Sequence, residues 1–213
     1  GTPGGTAVVE GDHPDFRLSP NEKLLATSLL DPKTSTTDVW ISDLERGSRT
    51  KLTRGGQISA AAIWSPDSTK VVFRTNRTGA VELSGRSVGG SGDEEPLLTH
   101  AMARAAQLQS TNLVNTDWSA DGRSVVFSAP SGVSGHDLWL LPLAEKKPTK
   151  FLASPSDEMH GNFSPDDRLI AYTSNESGKH EVYVQTFPRL EKRWPVSSNG
   201  GYEPRWRADG REI

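Results

Sequence analysis

An all-β chain of repeated four-stranded antiparallel units is what this sequence predicts, on three observations. A Ser-Pro-Asp-type turn recurs at Ser19-Pro20-Asn21, Ser65-Pro66-Asp67, Ser119-Ala120-Asp121, Ser164-Pro165-Asp166 and Arg207-Ala208-Asp209, in steps of 46, 54, 45 and 43 residues. Each turn is framed alike: Leu18, Trp64, Trp118, Phe163 or Trp206 lies two residues before its centre, and Leu25, Val71, Val125, Ile170 or Ile213 five after. Third, each period holds room for four strands. Four strands in about 40–45 residues is the arithmetic of a β-propeller blade. The expectation is four full blades plus a partial fifth, either a fragment or an incompletely closed ring. An ordinary β-sandwich would have no reason to repeat at this spacing.

Within each unit the elements follow from residue chemistry. Proline presets φ for a turn, and the aspartate that follows can hydrogen-bond its own backbone two residues on. The second strand is β-branched or aromatic, as in Leu169 to Thr173. The third strand is read at Asp38-Val39-Trp40-Ile41, Ala80-Val81-Glu82-Leu83, Asp137-Leu138-Trp139-Leu140 and Glu181-Val182-Tyr183-Val184. Short apolar patches at Leu52, Leu97-Leu98, Phe151-Leu152 and Val196 close the units. A lone blade has two apolar faces and nothing to cover them. Each large aromatic buries ~150–250 Å², or at most about 4–6 kcal/mol at ~25 cal/mol per Å². That gain exists only when neighbours stack.

One continuous array over residues 1–213 is expected, with units at about 15–53, 61–99, 115–152 and 160–197, and a partial unit at 203–213. Thr6 to Val9 is a candidate closing strand. The long step of 54 reflects an insertion at His100 to Gln109, read as an ordered loop or one or two helical turns. Gly89-Gly90-Ser91-Gly92 lacks the Gly-Lys-Ser/Thr continuation of a phosphate loop. The Ser131–His136 run does not keep the frame of a nucleophile elbow.

Composition excludes several classes. Twenty-four basic and 27 acidic residues give a net charge of −3, so nucleic acid is not an expected partner. No apolar run approaches the ~18–20 residues of a membrane span. With no cysteine there is neither a disulfide nor a thiolate metal site. The chain starts at Gly1 without a signal peptide, which reads as a processed or excised start. No cofactor or metal is expected. Asn76-Arg77-Thr78 and Asn175-Glu176-Ser177 match the glycosylation pattern by coincidence.

The candidate site follows from the repeat itself. First strands of propeller blades line the central channel, so the residues just before each turn gather at one mouth. Five before the turn centre stand Asp15, Ala61, Asn115, His160 and Glu203; three before it stand Arg17, Ile63, Asp117, Asn162 and Arg205. Of these, Asp15, Asn115, Asp117, His160, Asn162, Glu203 and Arg205 are the candidate ligand-binding residues. Carboxylates beside an imidazole and a guanidinium can hold a cation, a peptide terminus or a polar ligand. They also suit plain solvated channel lining. His13, His100, His136 and His180 show no ligand spacing, and no catalytic residues are assigned.

The stretch Ser-Pro-Asp-Asp-Arg-Leu-Ile-Ala-Tyr-Thr-Ser-Asn at 164–175 resembles the repeat of TolB-like β-propellers, as do the third strands at 38–41 and 181–184. Residues 161–213 resemble the propeller portion of bacterial proteins in which such repeats follow a serine/threonine kinase or a regulatory domain. Tyr183-Val184-Gln185, Trp194, Ser198-Asn199-Gly200-Gly201 and Glu203-Pro204-Arg205-Trp206 carry that likeness. The chain departs from the family by stopping short of ring closure, and it holds no kinase motif. The resemblance implies a non-catalytic recognition or sensor module of a larger bacterial protein, outside the cytoplasm, binding a protein partner or small polar ligand. It leaves a second reading open, the access-filtering propeller of a prolyl oligopeptidase-like hydrolase. Open blade faces predict self-association.

Overall fold

The computed structural model describes residues 15–90, 92–109, 112–132 and 135–213. The candidate strand at 6–9 lies outside them. Blade one comprises β1 (Phe16–Leu18), β2 (Leu24–Asp31), β3 (Thr36–Asp43) and β4 (Ser48–Lys51). Blade two comprises β5 (Ser59–Trp64), β6 (Lys70–Thr75), β7 (Glu82–Ser87) and β8 (Glu95–Leu98), and is followed by the helix α1 (His100–Ala105). Blade three comprises β9 (Val114–Trp118), β10 (Ser124–Ser131), β11 (Gly135–Pro142) and β12 (Thr149–Leu152); blade four comprises β13 (Glu158–Phe163), β14 (Leu169–Ser174), β15 (Glu181–Thr186) and β16 (Arg193–Pro195). Each is an antiparallel meander in sequence order. No helix among the described residues is long and apolar enough to cross a membrane.

Period-two alternation sorts side chains between neighbours. Val71 and Phe73 face blade one, where they bury Ala26, Val39 and Ile41. Val72, between them, faces blade three and meets Val125, Phe127 and Trp139. The blade three–four core joins Val126 and Leu138 to Ile170, Tyr172 and Tyr183. Phe73, Phe127 and Tyr172, each seven residues past its turn centre, are at most 2% exposed. The innermost strands lie next to one another in chain order: β5 packs on blade one, β9 on blade two, β13 on blade three.

The repeating turn has one geometry throughout. The serine hydroxyl donates to the Asn or Asp side chain two residues on, at 2.8 Å in Ser19–Asn21, 2.6 Å in Ser65–Asp67, and 2.7 Å in both Ser119–Asp121 and Ser164–Asp166. That hydroxyl, with the backbone N–H and the side-chain O–H of Thr69, holds Asp67 down at about 2. The residue after the carboxylate is left-handed in every copy: Glu22, Ser68 and Asp167 at φ 60°, 61° and 54°, Gly122 and Gly210 at 75° and 70°. Its side chain reaches the preceding turn. Ser68 Oγ accepts from Asn21 N at 3.1 Å, and the Asp167 carboxylate accepts from both Ala120 N and Asp121 N at 2.8 Å. Glycine stands at this position opposite Pro66 and Pro165, whereas Ser68, opposite Pro20, takes the N–H of the next residue, Asn21.

In blade two the third strand differs from the reading above. It spans Glu82–Ser87, and Phe73 pairs with Ser84 as Thr27 pairs with Trp40. Glu82 therefore aligns with Asp38, Asp137 and Glu181. Each of these acids ties its strand to the chain leaving the blade: Asp38 accepts from Thr53 Oγ1 at 2.9 Å, Glu82 from His100 N at 2.8 Å, Asp137 from Lys150 Nζ at 2.8 Å and Glu181 from Gly200 N at 2.9 Å.

The expected partial fifth blade is present only as its opening turn. Residues 203–213 form no strand, although Arg207 N donates to Glu212 O at 2.9 Å as the other turns do. Trp206 docks on blade four as Trp64 docks on blade one. Its indole Nε1 donates to Asn162 O at 3.0 Å, and that of Trp64 to Arg17 O at 2.9 Å.

Candidate functional site

The inner strands are bent at their entry. β5 carries a bulge between Ala60 and Ile63, and β13 one between Met159 and Asn162. At these places Ala61 and His160 both take φ 55°, and Glu203 takes φ 51° at the same repeat position. A left-handed non-glycine residue costs about 1–3 kcal/mol, and such residues concentrate at ligand-binding sites. The bulges re-aim the side chains five before the turn toward the channel opening.

A cavity of about 690 Å³ opens there, and its lining draws on all four blades and on residues 203–205. Asp15, Asn115, His160, Glu203 and Arg205 line it, together with Arg17. Asp117 and Asn162 are not part of that wall. They turn toward each other: Asn162 Nδ2 donates to Asp117 Oδ2 at 2.7 Å, and Phe163 N donates to the same oxygen at 2.8 Å. Asn115 is 3% exposed. Its amide donates to Ala61 O and, at 3.2 Å, to Val72 O, which leaves Oδ1 enclosed without a partner.

Both signs of charge share this space. Burial raises the Asp15 carboxyl above its usual range, against the pull of Arg17 and Arg74. Burial pushes Asp117 up to about 6, although two backbone N–H groups and the nearby Arg205 and Arg17 oppose it. Burial, then repulsion from Arg17, lowers Arg205. His160 is lowered by burial, with Glu203 acting the other way from 3.8 Å. Thr116, the hydroxyl residue of the lining, gives its proton to Val126 O at 3.3 Å. The arrangement thus offers cationic and anionic binding groups side by side.

Sequence spacing missed a row of side chains leading outward from His160. Its ring meets Tyr202 edge-on at 4.5 Å, and Tyr202 meets His180 at 5.5 Å. His180 Nε2 stands 3.6 Å from Asp157, whose other oxygen is 3.1 Å from His136 Nδ1. His136 and His160 lie on β11 and β13, Asp157 just before β13, His180 just before β15 and Tyr202 after β16, so no spacing along the chain announces them. Among the described residues no group of three or more acidic or histidine side chains is arranged to hold a metal ion. Asn76 and Asn175 are turn residues whose Oδ1 atoms accept from Ile58 N at 2.8 Å and Asp157 N at 2.9 Å.

The sequence matches no known protein-family profile and no curated protein. Solved structures do match. TolB from Acinetobacter baumannii superposes with TM-score 0.69 at 16% identity, over 88% of this chain and 44% of that one. A protein assigned as TolB from Agrobacterium tumefaciens superposes with TM-score 0.73 at 18% identity, over 93% of this chain and 72% of that one. A prolyl endopeptidase gives TM-score 0.61 at 14% identity, covering 86% of this chain and 28% of that one. The chain therefore spans less than half the length of the Acinetobacter protein. Four antiparallel four-stranded sheets, stacked by their inner strands and superposing on these structures, make the fold of this chain that of the TolB-like β-propellers.

Proposed function

We propose that this chain is a non-catalytic recognition module that binds a polar ligand, or a terminus of a protein partner, at the channel mouth. One observation carries the reading. Repeat positions from different blades converge on a single cavity of about 690 Å³, where Arg17 and Arg205 stand beside Asp15 and Glu203. Guanidinium groups suit a carboxylate and the two acids suit an amine, so a zwitterionic peptide end fits both. The volume lies within the ~300–1,000 Å³ of small-ligand sites. An extracytoplasmic setting in a larger bacterial protein belongs to the same proposal, and rests on the resemblance at 164–175. So does self-association, for which Phe16 and Leu18, 62% and 50% exposed on β1, are the candidate contacts.

The test is a calorimetric screen of short peptides with free and with blocked termini. The reading expects binding that weakens about tenfold or more in Arg205→Ser and Glu203→Ala. Binding that ignores both substitutions, or no binder at all, would sink it. The superposition on a prolyl endopeptidase propeller supports a second reading, in which the channel filters access to a hydrolase domain. A serine-elbow domain encoded beyond Ile213 in the parent gene decides for that alternative.

A further inference from the structure

The insertion at His100 to Gln109 is the one large departure from the repeat, and channel-mouth recognition makes no use of it. It folds into α1, capped by Thr99, whose Oγ1 accepts from Met102 N at 3.3 Å. Ala103 and Leu108 anchor the segment in the core between blades two and three. The opposite side of α1 encloses a second cavity of about 570 Å³, at the outer edge of blade three. Met102, Ala105 and Ala106 form one wall; Trp139, Pro148 and the stem of Lys150 form the other.

Two features of this cavity call for an anion with an apolar body: Met102, Ala105 and the Trp139 ring make its walls apolar, and its rim is cationic. Lys146 and Lys147, just before β12, and Lys150, on β12, rim it. Lys146 is engaged by Glu95 at 2.8 Å and Lys150 by Asp137 at 2.8 Å, whereas Lys147 forms no ion pair among the described residues. Trp139, 4% exposed, lines the cavity with part of its ring, while its indole Nε1 is closed off from solvent and meets no acceptor. Lys146 itself is left-handed at φ 52°, and its ammonium also donates to Pro96 O at 3.1 Å, which fixes the turn against blade two.

We propose that this cavity is a second ligand site, taking a small carboxylate carried on an aliphatic chain. The chain lies against Met102 and Trp139, and the carboxylate takes the Lys147 ammonium. The volume fits a small molecule of this kind. The site is separate from the channel mouth and does not depend on the recognition function proposed there.

The test is an octanoate titration of the whole chain, followed by nitrogen-15 correlation spectra of its six tryptophan indoles. The signal lost in Trp139→Phe identifies Trp139; Ala105→Phe, at an exposed helix position on the wall, is the second variant. The expected result is a saturable shift of the Trp139 signal, abolished by Ala105→Phe. Affinity should fall about fivefold in Lys147→Glu, stay unchanged in Arg205→Ser, and be about fivefold weaker for neutral octanol. A Trp139 signal unmoved at about 10 mM octanoate overturns the proposal. So does equal affinity for octanol, indifference to Lys147→Glu or Ala105→Phe, or loss of binding in Arg205→Ser.

Discussion

The Asp167 carboxylate joins the turn of blade four to the turn of blade three, and its removal has a calculable effect. Asp167→Ala deletes two acceptors, each 2.8 Å from a backbone N–H. A hydrogen bond nets about 0.5–1.5 kcal/mol. Water can reach both freed donors, so the low end applies and the loss is about 1–2 kcal/mol. Asp167→Gly loses the same bonds but relaxes a backbone held at φ 54°, and should be about 1 kcal/mol better than alanine. Ala120→Pro then provides the decisive comparison. Two other units pair Pro66 with Gly122 and Pro165 with Gly210, and a third sets Pro20 opposite Ser68, so proline fits this turn and needs no acceptor for its missing N–H. In the Asp167→Gly background, Ala120→Pro should be neutral or stabilising by up to about 1 kcal/mol. In the parent chain it breaks one bond to Asp167, and that gain should shrink or reverse. Urea unfolding of the four proteins gives the coupling, expected at about 0.5 kcal/mol or more. Identical effects of Ala120→Pro in both backgrounds would refute the bridge.

Three further outcomes are expected. Burial raises Asp117 to about 6, well above the ordinary aspartate range, so the folded state holds this proton more tightly than the unfolded chain. Its stabilising effect is complete below about pH 4 and is lost as pH rises through about 6, by up to about 3 kcal/mol. Asp117→Asn keeps an acceptor and should remove that slope; an unchanged slope of stability between pH 4 and 6 contradicts the assignment. Trp206→Phe deletes the indole bond to Asn162 O and should cost about 1 kcal/mol. Hydrogen exchange should then quicken across residues 201–213, and unaltered protection there would show that the docking does not hold this segment. Phe16→Ser with Leu18→Ser should lower the oligomer fraction measured by light scattering, and a parent chain that is already a clean monomer ends that idea.

The blades were legible because their turns use residues with few alternative roles. Pro20, Pro66 and Pro165 mark turns whose neighbours sit in fixed register, and the aromatics at Phe73, Phe127 and Tyr172 fill one repeated place between sheets. Blade two's third strand was misplaced by two residues because the aromatic that marks it elsewhere is Ser84 here. The acid at Glu82 was the surviving signal, aligned with Asp38, Asp137 and Glu181. At the channel, repeat position told which residues share a level but not which way each side chain turns. Asp117 and Asn162 satisfy one another, whereas bulged backbone turns His160 and Ala61 toward the cavity. The Asp157, His180 and Tyr202 row depends on how the chain before β13, the β14–β15 hairpin and the chain after β16 meet, which period alone does not encode. The cavity under α1 was hidden for a similar reason: the insertion was visible as a long step, but not the surface it would cover.

Among the described residues the main packing between sheets runs between neighbours in chain order, so blades two and three are gripped on both sides and blades one and four on one. Resistance to opening should therefore be graded along the arc. Amides of β6 and β10 would exchange slowest, and thermal or chemical loosening would begin at β1 and β16 and travel inward. The channel mouth takes residues from both the first and the last described segments, so it would lose its shape at the earliest stage of that loosening, long before the blade two–three core gives way.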